Sequence, residues 1–178
     1  MPEVQQVGPF PPGADPDEYD RRRRRVLWSL PSGLYVLGSA AGGRRNLMTL
    51  NWATQVATDP KVVAVSIESG AVTHRLVEQG QAFSLSILRR DDRSVVRKFV
   101  KPLDDDGDPD SLGGFAVHTS ATGAPILELA AAWLDCRVTD RTPCGSHTVF
   151  FGQVVDCGEV DPSTDVLRME DTRMNYGG

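Results

Sequence analysis

The chain has 178 residues, of which 40% are apolar and 24% charged, with a net charge of −5. This is one globular domain's worth of chain, with enough apolar residues to bury a core. The acidic balance argues against general nucleic-acid binding, and no apolar run approaches the roughly 20 residues needed to span a bilayer. The start is polar and proline-rich rather than leader-like, so a cytoplasmic protein is the expectation. Cys136, Cys144 and Cys157 form no CxxC pair. Their odd number and wide spacing argue against a disulfide framework and a structural zinc site, and no metal is expected. Cys136 and Cys157 lie in apolar runs and read as small buried hydrophobes.

Residues 1–14 are rich in Pro and Gly and read as a flexible arm, leaving 15–178 as a single domain. Asp15-Pro16-Asp17-Glu18 then announces a helix: a cap, a first-turn proline, and acids at the positive end of the dipole. Tyr19, Val26, Leu27 and Leu30 share one face, and Pro31 with Gly33 stops the helix. The run Arg21 to Arg25 lies within it. Helical geometry spreads five consecutive arginines around the cylinder, so they read as a solvated, partly ion-paired surface, with a phosphate or partner contact as the alternative.

From Gly33 onward the pattern changes to short strands: Leu34–Leu37, Leu47–Leu50, Val62–Ile67 and the alternating, half-buried Ala82–Leu88. Longer β-like runs follow at Leu127–Val138 and Thr148–Val155, with a last short one at Leu167–Met169. Thr73 to Gln79 reads as a short helix capped by Thr73 and ended by Gly80, and Asp92 to Val100 as another. Many short strands with few helices predict a nearly closed antiparallel barrel. Gly38 to Arg45 has the glycine spacing of a phosphate loop but lacks its Lys-Ser/Thr end and is followed by a strand, so it reads as a hairpin turn. The acidic stretch Asp104 to Asp110 fails the register of a calcium loop and reads as a mobile solvated loop.

One segment points to chemistry. Thr49 to Pro60 starts as a strand and gathers Asn51, Thr54, Gln55 and Thr58 before Asp59-Pro60 breaks it. Hydrogen-bonding groups beside apolar walls suit a flat, polar-edged ring such as a flavin. On periodicity alone, the same residues are the outward face of an amphipathic strand.

This segment resembles the flavin reductase family, whose members show Thr-x-Asn-Ser-Phe-Thr-Ser-Val-Ser followed by an acid and Pro. Thr49, Asn51, Thr54, Val56, Asp59 and Pro60 match, whereas Trp52, Ala53 and Gln55 depart from it. Val62 to Glu68 and the turn after it resemble the family's phosphate-binding region. There Ser69, Thr73 and the backbone at the start of the Thr73 helix are the matching positions, and His74 either adds charge or is simply exposed. Gly145-Ser146-His147 resembles the family's Gly-Asp-His segment, with Ser146 in place of the aspartate. As neighbours in a strand, Ser146 and His147 would point apart, which argues against a nucleophile–base pair. The last residues, with Arg173 and Tyr176, resemble a segment that returns to the flavin pocket, or else form a frayed tail.

Over residues 24–178 the resemblance implies a mainly β, FMN-binding split β-barrel of antiparallel, Greek-key type with a few short helices, forming a homodimer. It implies FMN as cofactor, with FAD as the alternative, and NADH or NADPH as hydride donor. Thr49, Asn51, Trp52, Thr54, Gln55, Ser66, Ser69, Thr73, His74, Arg173 and Tyr176 become expected cofactor contacts, and His147 the expected catalytic residue, on the nicotinamide side. A flavin-dependent monooxygenase is the implied consumer of reduced flavin. The alternatives are a non-reductase flavin module, a deazaflavin- or haem-binding relative on the same barrel, and a nucleic-acid-associated barrel using Arg21 to Arg25.

Overall fold

A computed structural model describes residues 8–159 and 163–177. The first half of the expected arm, residues 1–7, lies outside that range. The part next to the helix is held in place: Phe10 packs edge-on against Tyr19, with ring centroids 6.1 Å apart.

Helix α1, Pro16–Trp28, begins as its sequence predicts, with Asp15 accepting a 2.8 Å hydrogen bond from Glu18 N–H. The arginine run is partly ion-paired. Asp20, the buried residue of α1, takes Arg23 at 2.5 Å and Arg24 at 3.1 Å. Arg22 and Arg23 also lie over the Tyr19 ring. The expected apolar face does not enter the core: Val26 is 63% and Leu30 67% exposed, with Leu27 and Trp28 also open to solvent.

The strands are β1 (Tyr35–Ala41), β2 (Arg44–Leu50), β3 (Ala53–Thr58), β4 (Lys61–Glu68), β5 (Ala82–Ile87), β6 (Ser111–Leu112), β7 (Phe115–His118), β8 (Ile126–Leu127), β9 (Ala132–Cys144) and β10 (His147–Glu159). Seven form one antiparallel sheet in the order β2-β1-β5-β9-β10-β4-β3, and β6-β7-β8 form a small second sheet. The strands at the two ends of the large sheet, β2 and β3, are joined directly by Asn51-Trp52. The sheet therefore curls until its edges meet there, with no ladder between them among the described residues. This is a split β-barrel. The Gly42-Gly43 turn between β1 and β2 has φ of +57° and +76°, the double left-handed pattern of a tight hairpin.

Two apolar clusters use opposite faces of the sheet. Leu37, Val65, Ile67, Phe83, Cys136 and Phe150 fill one, and Val36, Leu47, Leu88, Phe99, Val117 and Leu127 the other. For this reason β5 is buried on both faces rather than half-buried as its alternation predicts. Ser84 Oγ donates to Pro125 O at 2.5 Å, and Ser86 Oγ accepts from Leu127 N–H at 3.1 Å, so the covering loop satisfies its polar face.

Other expectations are corrected. Helix α2, Val72–Gly80, has Ala71 at its cap position and no side-chain cap, because alanine offers no acceptor; Thr73 lies inside the first turn, where its hydroxyl accepts from Asn46 Nδ2. Asp92 to Val100 forms 3-10 turns at Arg90–Asp92 and Val95–Phe99, with Val100 57% exposed. Cys157 is exposed, whereas Cys136 is buried and its thiol is pushed up to about 12, mainly by loss of solvent. The acidic loop is pinned rather than loose. The Arg45 guanidinium binds Asp105 at 2.5 Å and the carbonyls of Asp108, Pro109 and Ser111 at 2.8–3.2 Å.

Candidate functional site

A cavity of about 470 Å³ opens where the barrel is split. One side comes from β2 and the Asn51 link: Asn46, Met48, Thr49, Leu50 and Asn51. The opposite side is the end of β4 and the start of α2, with Ser66, Glu68, Gly70, Ala71, Val72 and Thr73. Phe99 to Pro102 forms a third wall, and Met169, Met174 and Tyr176 come back from the end of the chain. The lining is largely apolar with a few convergent polar groups, and its volume lies in the range of about 300–1,000 Å³ usual for cofactor sites.

Of the residues singled out from sequence, Thr49, Asn51, Ser66, Thr73 and Tyr176 meet in this lining. The Thr49 hydroxyl donates to Val96 O and so fastens the third wall to β2. Trp52 and His147 stand at the rim beside Tyr176. Their ring centroids are 5.0 Å apart, and Trp52 is 5.2 Å from Tyr176. The indole Nε1 of Trp28 donates to Gly177 O at 2.8 Å, tying α1 to this end of the chain.

The remaining expected contacts point elsewhere. Thr54 and Gln55 are exposed on β3, where a bulge between Gln55 and Ala57 disturbs the alternation. Gln55 Nε2 donates to Ala57 O at 3.0 Å. Ser69 is exposed, and its N–H donates to Ser146 O. Arg173 is exposed as well. His74 lies under the barrel surface, its Nε2 2.9 Å from Thr148 Oγ1 and its ring against Phe150.

The predicted divergence of Ser146 and His147 also fails, because Ser146 sits in the hairpin turn rather than in β10. Its Oγ is 2.8 Å from His147 Nδ1, and His147 Nε2 is 3.1 Å from the Tyr176 hydroxyl. A neutral imidazole, donating at one nitrogen and accepting at the other, satisfies both contacts. Loss of solvent lowers the His147 pKa against an opposing pull from Glu68, and raises that of Tyr176 with Glu68 adding to it. Both groups are thus held neutral around pH 7, at the mouth of the cavity.

His74 gives a stability prediction. Burial, then the nearby Arg141 charge, holds its pKa below the usual 6.5. The unfolded chain therefore takes up the proton more readily. Stability is fully present above the unfolded value and falls as pH drops through it. We expect the melting temperature to fall between about pH 7 and pH 5, and His74→Gln to flatten that slope. An unchanged slope in the variant would refute the assignment.

Several lining residues gave no sequence signal. Asn46 is a polar residue buried in a strand, and Lys101 and Pro102 line the cavity on an excursion that Arg45, Asn46 and Thr49 fasten to β2. The first turn of α2 carries no acidic residue, and Ala71, Val72 and Thr73 at its start line the cavity. Such a helix start favours an anion, and Lys101 adds positive charge. Among the described residues no group of His, Cys, Asp or Glu is gathered for a metal ion, and no helix is long and apolar enough to cross a membrane.

Comparison with known proteins agrees with this fold. The chain is 30% identical over 134 residues to a high molecular weight rubredoxin of Moorella thermoacetica, covering 74% of this chain and 58% of that protein. Across eight curated relatives it spans 22% to 58% of their length. Among solved structures, the styrene monooxygenase flavin reductase SMOB of Pseudomonas putida S12 is 31% identical, with TM-score 0.64 over 77% of this chain and 86% of that one. The NADH:FAD oxidoreductase SgcE6 of Streptomyces globisporus C-1027 shares the fold at 23% identity, with TM-score 0.75 over 93% of this chain and 96% of that one. The model of the flavin reductase like domain matches residues 27–177, and the chain belongs to that family.

Proposed function

We propose that the cavity binds FMN and that the chain catalyses its reduction by NADH or NADPH, with reduced flavin passing to a monooxygenase. The observation that carries this reading is the pairing of an uncapped helix start, Thr73 and Lys101 with a largely apolar remainder of the cavity. The first group suits a phosphate and the second a flat ring. When bound, FMN supplies the two-electron acceptor for a hydride.

The work of the protein is then positioning and exclusion of water. Holding donor and acceptor atoms at roughly 3–3.5 Å needs no acid–base residue for the hydride step. Met48, Phe99, Met169 and Met174 form apolar walls, and Thr49 and Asn51 stand near the ring's polar edge. Thr73, Ser66 and Lys101 hold the phosphate. His147 orients the Tyr176 hydroxyl and, with Trp52, shapes the open side where the nicotinamide enters. FAD fits the same scheme if its adenylate extends past this rim. Trp28 ties the end of α1 to Gly177 near the same mouth, Val26, Leu27 and Leu30 are also open to solvent, and a homodimer covering this apolar surface would complete the shelter. The name of the Pseudomonas relative supports an oxygenase as the consumer.

The test is anaerobic mixing of protein and FMN with NADH or NADPH, following the flavin's visible band. Bleaching far faster than with free FMN is the expected result, and the faster donor names the preference. Bound FMN without acceleration would replace the reductase reading by a flavin-binding module. FMN that does not bind would refute the site.

A further inference from the structure

Asn46 is 3% exposed, yet its amide lines the cavity. The backbone N–H of Leu103 lies 3.0 Å from one end of that amide. An N–H can only donate, so this end is the carbonyl Oδ1 and the other is Nδ2. Nδ2 lies 2.8 Å from Thr73 Oγ1 and donates to it. The Thr73 hydroxyl thus accepts from Asn46 and keeps its own hydrogen to donate. Thr73 lies in the first turn of α2, where the residue four before it precedes the helix, so the back-bond to a helical carbonyl is not available. One amide therefore orients the hydroxyl at the helix start and also holds the loop that carries Lys101.

We infer that Asn46 is a positioning residue for phosphate: its amide turns the Thr73 hydroxyl outward as a donor and keeps the Lys101 wall beside it. This rests on the reading of the cavity as an FMN site. It goes further by assigning a specificity, for flavin bearing a terminal phosphate over flavin without one, to a residue that need not touch the ligand.

Asn46→Asp separates this role from plain packing. The variant has nearly the same shape and still accepts from Leu103 N–H, but it offers Thr73 an acceptor. The hydroxyl then turns toward the introduced carboxylate and away from the ligand, and a negative charge sits near the phosphate. Binding of FMN and of riboflavin is measured for both proteins by quenching of flavin fluorescence. FMN affinity is expected to fall about tenfold or more, the scale of one lost hydrogen bond to a charged group, while riboflavin affinity stays within about threefold. In a Thr73→Val background the same substitution should weaken FMN less, since the share of the loss that runs through that hydroxyl is gone and only the repulsion between carboxylate and phosphate remains.

Equal weakening of both ligands would reduce Asn46 to a structural residue and overturn the inference, as would no change in either. A wild-type protein that binds riboflavin and FMN equally well would overturn it through the phosphate end, leaving the ring site standing. Failure to bind either ligand would remove the cavity reading itself. If Asn46→Asp does not fold, Thr73→Ser and Thr73→Val provide the comparison. Serine should retain the preference for FMN and valine should lose it; loss in neither overturns the inference.

Discussion

Replacing Gly38 by alanine is expected to destabilise the protein by about 3 kcal/mol or more, lowering its melting temperature by roughly 6–12 °C. Gly38 lies mid-strand in β1, with Leu47 of β2 on one side and Ser84 of β5 on the other. A methyl group there would collide with the carbonyl oxygen of Pro125 and meet Ser84 Oγ at 2.5 Å. Neither obstacle yields easily. The carbonyl is backbone, and Ser84 donates its hydroxyl hydrogen to that same oxygen. Relief requires lifting the loop that buries Ala124, Ile126 and Leu127, so the cost combines overpacking with re-exposure of apolar surface. Gly70→Ala is the control, since a methyl group there meets nothing within 4 Å and no left-handed φ is required. Thermal unfolding of the two variants tests the claim, and a Gly38→Ala protein as stable as wild type would refute the packing described.

Reversing the charge of Lys101 should produce the largest change in ligand binding. With Glu at this position, FMN affinity is expected to drop about 10–100-fold, because a favourable charge-assisted contact becomes a repulsion. Riboflavin, which lacks the phosphate, should bind nearly as before. Lys101 is exposed at the cavity edge, so salt should screen the effect, and the gap between variant and wild type should narrow as ionic strength rises. Lys101→Arg should retain most of the FMN affinity. Titrations with both ligands at two salt concentrations decide the matter. Equal loss for riboflavin would mean that the substitution disturbed the Phe99–Pro102 wall instead of the charge at the phosphate.

Much of the barrel was legible from local chemistry. The Asp15 cap, the Gly42-Gly43 hairpin and the strands of β1, β2, β4 and β10 follow from residue types whose conformational preferences act over a few neighbours. The candidate site was legible only in part. Thr49, Asn51, Ser66 and Thr73 reach the cavity, and all flank the points where β2 and β4 end. Thr54 and Gln55 looked equally suitable, but β3 is the end strand of the large sheet and both are exposed on it, which alternation alone does not reveal. His147 reads as a strand residue beside Ser146, yet the turn rotates Ser146 into hydrogen-bond range.

The acidic loop makes the same point on a larger scale. Seven residues rich in Asp have every local reason to be solvated and loose. They are held because a single guanidinium on β2, sixty positions away from Asp105, binds both carboxylate oxygens of Asp105 and the carbonyls of Asp108 and Pro109. The Asp105 carboxyl is held below the usual carboxylate range, chiefly by its hydrogen bond to Arg45. No periodicity within the loop encodes that partner.

By itself, the amino-acid sequence determined the class of fold, the hairpins, the start of α1 and the segment that carries the family resemblance, since each depends on contacts between near neighbours. The tertiary structure decided which polar groups share a cavity. Asn46, Lys101 and Tyr176 are brought together by the curl of the sheet, the Arg45 clamp and the return of the last residues past Trp52. These are long-range closures. Their free energy comes from burial and hydrogen bonds between distant segments, which local patterns along the chain do not specify.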